Sequence, residues 1–197
     1  MNSYPQSKSV VTGPASEPIT VAEAKTHCRV EISDDDTYIG ALIQVARETA
    51  EVYTGRALMT QTLDVKYAAF PEDGSFWFPA PPLQSVTSVK YYDTDGTQRT
   101  LSTDVYEVDT AHLPGRIALK PNQVWPDVQT EKNNPITIRG VSGFADAASV
   151  PAGIKHGMLL LIGMWYEQRA DEGDVRTKPI SIGAKALFAH NVVEWGY

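Results

Sequence analysis

Residues 33–67 have the sequence SDDDTYIGALIQVARETAEVYTGRALMTQTLDVKY, and the spacing of apolar residues changes within this stretch. From Ile39 to Tyr53, apolar residues recur every three or four positions, the period of a helix with one buried face. We predict that this helix begins at Ser33 and ends at Gly55. From Thr62 to Tyr67, polar and apolar residues alternate, which predicts a half-buried strand. A helix is therefore followed directly by a β segment.

The three aspartates at 34–36 are interpreted as charges that stabilise the start of this helix. A metal site is disfavoured, because consecutive helical residues point about 100° apart. Upstream, Thr20 and Glu23 have the spacing of a capping box and predict a short helix that ends near Val30. Residues 1–18 are rich in Ser, Pro, Thr and Gly, and we expect a flexible N-terminal arm there.

Residues 60–149 are predicted to form an antiparallel β insertion. Short alternating or aromatic segments, separated by Pro, Gly and Asn, suggest further strands at 75–78, 85–92, 105–109, 116–119 and 136–141. Asp95-Gly96 favours a two-residue hairpin turn of type I′.

Helical periodicity resumes after Pro151, with apolar residues from Ile154 to Trp165. Residues 19–59 and 150–178 are therefore two helical parts, the second with a polar tether, and each must bury its apolar stripe against the other. The predicted fold class is α+β: a small α-helical bundle with an antiparallel β unit inserted between the long helices.

The composition and motifs indicate no catalytic, metal-binding or cofactor-binding site. A net charge of −7 without any run of Lys or Arg argues against a tight grip on nucleic acid. Cys28 is the single cysteine, which excludes an internal disulfide, and we expect it to pack as a small apolar residue. Nucleotide-binding and nucleophile motifs are absent, and the four histidines lack ligand spacing. No catalytic residue, metal or cofactor is predicted, and neither a signal peptide nor a membrane span is expected.

Taken together, several segments resemble a family of phage head–tail connector (adaptor) proteins that sit under the portal. The segments that carry the resemblance are Ile19–Lys25, Arg29–Val30, Asp34–Ile39, Ala46–Gly55, Pro81–Val89, Gly140–Phe144, Val150–Ala152 and Trp165–Arg169. The chain departs from the family pattern at residues 186–195, where a leucine pair and a Pro-Tyr-Arg-like finish are expected.

The resemblance implies a structural protein of the virion neck, made in the bacterial cytoplasm, without catalysis or cofactor. It implies a dodecameric ring of this chain that binds the portal protein and a stopper or tail-completion protein. DNA would pass through the ring without specific binding, and no membrane is involved. The net charge of −7 and the absence of Lys and Arg runs further predict that the inner surface of such a ring is neutral to acidic. The alternatives are a tail terminator, a decoration protein or a small hydrolase that uses Asp and His residues.

Two groups of apolar residues are predicted to form interfaces. Phe76, Trp77 and Phe78 are assigned to a contact between subunits or with the tail side. Residues 179–197 are assigned to docking on the portal or a neighbouring subunit. The residues proposed for that docking are Leu187, Phe188, Val192, Val193, Trp195 and Tyr197. The alternative is that this segment folds back onto its own helical core.

Overall fold

The computed structural model describes residues 4–72, 74–129, 131–168 and 181–193. The described residues divide into two compact units. The β unit contains residues of 4–15 and 60–143, and the helical unit contains residues of 16–59 and 144–193. The predicted α+β class, with an antiparallel β unit between the long helices, is confirmed.

The helical unit contains α1 (Val21–Cys28), α2 (Asp36–Thr54), α3 (Ala152–Glu167) and α4 (Ile182–Ala189). α3 packs against the other three helices. The residues that form its buried core include Ile39, Ile43, Ala46, Ala50, Ile154, Met158, Leu161, Ile162, Ala184 and Phe188. Cys28 is partly buried against this core, and burial raises the pKa of its thiol. None of these short helices could bury its apolar stripe alone, so the unit folds as a bundle.

The helix ends follow local chemistry in most places. Thr20 and Glu23 form the predicted capping box at the start of α1, and Gly55 ends α2 with a φ of 70°. The start of α2 corrects the sequence interpretation, since the helix begins at Asp36 and not at Ser33.

The aspartates before and at the start of α2 also hold neighbouring helices. Asp35 occupies the N-cap position but makes no side-chain cap. Instead, its carboxylate accepts a hydrogen bond of 2.6 Å from the Tyr166 hydroxyl on α3. Asp36 forms an ion pair of 2.7 Å with Lys25 on α1. Capping alone therefore does not account for the acidic run.

The β unit contains two antiparallel sheets. Within the described residues, its strands are β1 (Ser7–Thr12), β2 (Gln61–Tyr67), β3 (Ser75–Phe78), β4 (Leu83–Tyr92), β5 (Gln98–Thr100), β6 (Tyr106–Asp109), β7 (Gly115–Leu119) and β8 (Ile136–Ser142). The larger sheet has the order β1-β2-β8-β4-β5, and the smaller has the order β3-β7-β6.

An aromatic and aliphatic core lies between the two sheets. The Tyr67 ring of the larger sheet lies 4.6 Å from the Phe76 ring of the smaller one, and the Tyr67 hydroxyl donates to the Trp77 carbonyl at 2.9 Å. A Cβ atom at Gly140 would lie 2.7 Å from the Phe78 ring, so the backbone of β8 requires glycine where that ring approaches. The sheets are therefore packed face to face as a small sandwich.

Two local predictions in the β unit were wrong. Residues 7–12 form β1, an edge strand paired with β2, where a flexible arm was expected. All six side chains of β1 are exposed, so it is held by backbone hydrogen bonds and lacks an apolar signature. In the 93–97 turn, Gly96 has a φ of 78° while Asp95 does not adopt positive φ. This is a type I turn followed by a left-handed glycine, and not type I′.

Candidate assembly surfaces

The three aromatic residues of β3 point to opposite sides of the smaller sheet. Phe76 and Phe78 are fully buried in the sandwich core. Trp77 faces outward and is half-buried, with the Arg116 guanidinium 5.6 Å from its ring centroid and the His112 ring 5.0 Å away. This is the alternation that a strand imposes on successive side chains. Of the three, only Trp77 offers surface to a partner.

The C-terminal segment contributes to the helical core. Phe188 is fully buried, and its ring centroid lies 5.7 Å from that of Tyr53. Val193 is also buried, and its N–H donates to the Thr54 carbonyl at 2.9 Å. These two residues match the alternative in which the segment folds back. Leu187 is partly exposed and Val192 is exposed, so both are available for docking, while Trp195 and Tyr197 lie outside the described residues.

A second apolar stripe runs along the outer side of α2. Tyr38, Val45 and Val52 are separated by seven residues each, and their exposed fractions are 37%, 47% and 86%. Seven residues bring a helix back to within about 20° of the same direction, so the three side chains lie along one line. This stripe was not predicted from the sequence, although the seven-residue spacing of its members is present there. α2 therefore has one apolar face in its own core and a second line of exposed apolar side chains, in which the Tyr38 ring also lies 6.3 Å from the Tyr166 ring of α3.

The stability of α2 itself does not explain Val45 and Val52. β-branched residues are weaker helix formers than Ala, Leu or Glu, and an exposed Val52 gains little from burial. A regular line of exposed apolar side chains on a helix is typical of a seam that receives another helix. We define Tyr38, Val45 and Val52 as the α2 stripe.

The outer face of the larger sheet is polar and positively charged. Lys66, Lys90 and Arg139 surround Asp64 there, beside a shallow cavity of about 220 Å³. Arg139 donates two hydrogen bonds of 2.7 Å to the Asp64 carboxylate. These hydrogen bonds lower the pKa of Asp64, and the charges of Lys90 and Lys66 act in the same direction. We define these four residues as the cationic face.

Features typical of a metalloenzyme are not found in the described part of the chain. No cluster of three or more His, Cys, Asp or Glu side chains there could hold a metal ion. His27 and His156 form a pair with ring centroids 6.2 Å apart and no further ligand group. Among the described helices, none is both long and apolar enough to span a bilayer.

Comparisons with known proteins give a family match over part of the chain and a shared fold over nearly all of it. Residues 18–111 match the family described as phage gp6-like head-tail connector protein. The neck of an empty gene transfer agent particle, computed with C6 symmetry, contains a chain with 20% identity and a TM-score of 0.77, and the match covers 98% of both chains. No curated protein matches the chain.

Two further structures extend the fold comparison. A chain in the native gene transfer agent virion has 18% identity and a TM-score of 0.76, and the match covers 96% of this chain and 97% of that one. A chain in the native neck computed with C12 symmetry has 18% identity and a TM-score of 0.74, with 98% of both chains covered. At this level of identity, the likeness establishes a shared fold over nearly the whole chain.

Proposed function

Residues 18–111 match the gp6-like head–tail connector family, and from that premise we propose that this chain forms the ring beneath the portal of a tailed phage or phage-like particle. The family match and the shared fold support a structural role in the neck. In the proposed ring, copies of the chain surround the DNA channel, the portal lies above them, and a stopper or tail-completion protein attaches below.

The observation that carries the ring proposal is the α2 stripe. A subunit that folds alone needs one apolar face on each helix, but α2 has two. In a closed ring every subunit uses a different surface on each side, and an exposed helical seam supplies one of them. The neck structures with the same fold were computed with C6 and C12 symmetry, which suits a ring of six or twelve copies, and we propose twelve.

The proposed action is mechanical. The ring extends the DNA channel and presents a platform on which the next neck protein assembles, without catalysis or a cofactor. A net charge of −7 supports an inner surface that is neutral to acidic overall. DNA can then slide through, because few phosphates would form salt-sensitive pairs with cations.

The test replaces the α2 stripe with charge. In the double variant Val45→Lys/Val52→Lys, both changes fall on exposed positions, so the isolated protein keeps its thermal stability to within a few degrees. Charged residues are depleted from interface cores, so we expect this variant to be missing from the necks of purified particles. Gln44→Lys, on an exposed position of the same helix, is the matched control and assembles normally.

Electron microscopy of the particles decides the outcome. The proposal requires ring density on the portal axis for the wild type and for Gln44→Lys, and its loss for the double variant. If the double variant occupied the necks as fully as the wild type, the α2 stripe would not be an assembly contact. Wild-type protein located on the capsid surface or at the far end of the tail would contradict the connector function itself.

A further inference from the structure

We propose that the cationic face of one copy binds the acidic β6 edge of the neighbouring copy in the ring. This inference rests on the proposed function and adds a second contact to it, separate from the α2 stripe. We define the β6 edge as Glu107 and Asp109, which both lie on the outer side of β6 and are exposed.

The strand register places the cations of the larger sheet in two neighbouring rows. Lys66 lies opposite Thr137, which in turn lies opposite Lys90, so one row carries two ammonium groups on either side of a hydroxyl group. In the adjacent row, Asp64 lies opposite Arg139. Neighbouring strands are about 4.8 Å apart, so the backbones of Lys66 and Lys90 are separated by about 10 Å. Both lysine side chains extend from the same face, so their ammonium groups can approach one carboxylate from two sides.

The face keeps a positive charge after its internal pairing. Asp64 neutralises Arg139 through their two hydrogen bonds. Lys66 and Lys90 have no ion pair within 4 Å among the described residues. Two positive charges therefore remain on a flat surface that belongs to a chain of net charge −7. Such a surface favours a negatively charged partner.

The β6 edge presents two carboxylates on the other side of the same sandwich, and Arg116 of β7 lies opposite Asp109 while Ala118 lies opposite Glu107. Glu107 has no ion pair among the described residues, and the Asp109 carboxylate accepts N–H groups of Ala111 and His112. Two sheets that pack through their inner faces direct their outer faces away from each other. A subunit of a closed ring needs this arrangement, with unlike surfaces on opposite sides.

A neighbouring copy fits the cationic face better than DNA does. Asp64 lies in the middle of the face and would repel a phosphate backbone. The surrounding Ser88 and Thr137 hydroxyl groups can donate to carboxylates of a protein partner and accept from its N–H groups. The observations therefore favour a protein–protein contact.

Cross-linking in assembled particles tests the contact. In a Cys28→Ser background, Lys90→Cys and Glu107→Cys are placed on the same chain, and the particles are treated with a bis-maleimide that spans about 10 Å. We expect a ladder of cross-linked copies on a denaturing gel. Each single cysteine variant is the control and remains a monomer. Circular dichroism of each variant establishes that it is folded.

Charge reversal provides the second measurement. Lys90→Glu lowers neck occupancy about fivefold, and adding Glu107→Lys on the same chain restores it, because an opposite-charge pair forms again. The inference is overturned if necks are fully occupied by the double-cysteine variant without a ladder, or if Glu107→Lys fails to rescue. It is also overturned if Lys90→Glu leaves the neck intact and abolishes salt-dependent binding of duplex DNA. In these cases a neck ring of wild-type protein still leaves the proposed function standing.

Discussion

Removing the Phe188 ring tests whether α4 is seated in the helical core or is free to dock elsewhere. Phe188 is fully buried and packs beside Tyr53 and α3. Phe188→Ala should therefore destabilise the protein by about 3–5 kcal/mol. For a cooperative unit of roughly 80 residues, each kcal/mol lowers the melting temperature by about 4–8 °C, so we expect a drop of more than about 12 °C. Val192→Ala, at an exposed position, is the control and should change stability by less than about 0.5 kcal/mol.

Gly157 allows the same contact to be tested from the opposite side. A Cβ atom on Gly157 would lie 2.5 Å from the Phe188 ring, closer than side-chain atoms can approach. Gly157→Ala should therefore cost about 1–3 kcal/mol in the wild-type background. In the Phe188→Ala background the clash is absent, and alanine is the better helix former by up to about 1 kcal/mol. The same substitution should then stabilise the protein.

Urea unfolding of the four proteins, followed by circular dichroism, completes this double-mutant cycle. The decisive result is that Gly157→Ala destabilises the wild type but stabilises the Phe188→Ala variant. A general loss of helix stability could not reverse the sign of this effect. Phe188 would not pack against Gly157 if Phe188→Ala lowered the free energy of unfolding by less than about 1 kcal/mol. The same would follow if Gly157→Ala destabilised both backgrounds equally. The segment would then be available for docking on the portal or on a neighbouring subunit.

Two further outcomes concern charged groups. Arg47 is buried and pairs with Glu17 and Glu51 at 2.8 and 3.0 Å, so Arg47→Met should cost about 2–3 kcal/mol in urea unfolding. Glu48→Gln removes only a longer contact of 3.6 Å to the same guanidinium from an exposed position and should cost little, so an equal effect of the two would contradict this assignment. Because the hydrogen bonds from Arg139 hold the pKa of Asp64 below its unfolded value, their stabilisation is present above about pH 4 and is lost as the pH falls through the lower, folded pKa. Thermal melts should show Asp64→Asn to be less stable than the wild type at pH 6, with the gap closing on acidification; a gap that stays constant down to pH 2 would disprove the linkage.

The sequence alone determined the kind of elements and several of their ends. The change from a helical to an alternating period after Gly55 predicted the α+β class, and the capping box at Thr20 and Glu23 formed as expected. These features depend on residues a few positions apart, through backbone sterics and short hydrogen bonds, so a local pattern contains the information.

Only the tertiary structure decided which apolar residues are covered. Phe76 and Trp77 are adjacent and aromatic, yet one fills the sandwich and the other faces outward. Phe188 is buried because Gly157, some thirty residues earlier on α3, leaves space for its ring. β1 is held by hydrogen bonds to β2, a strand about fifty residues away. The spacing of the α2 stripe was present in the sequence, but its exposure was not. Burial depends on which distant surfaces meet, and no local pattern specifies that.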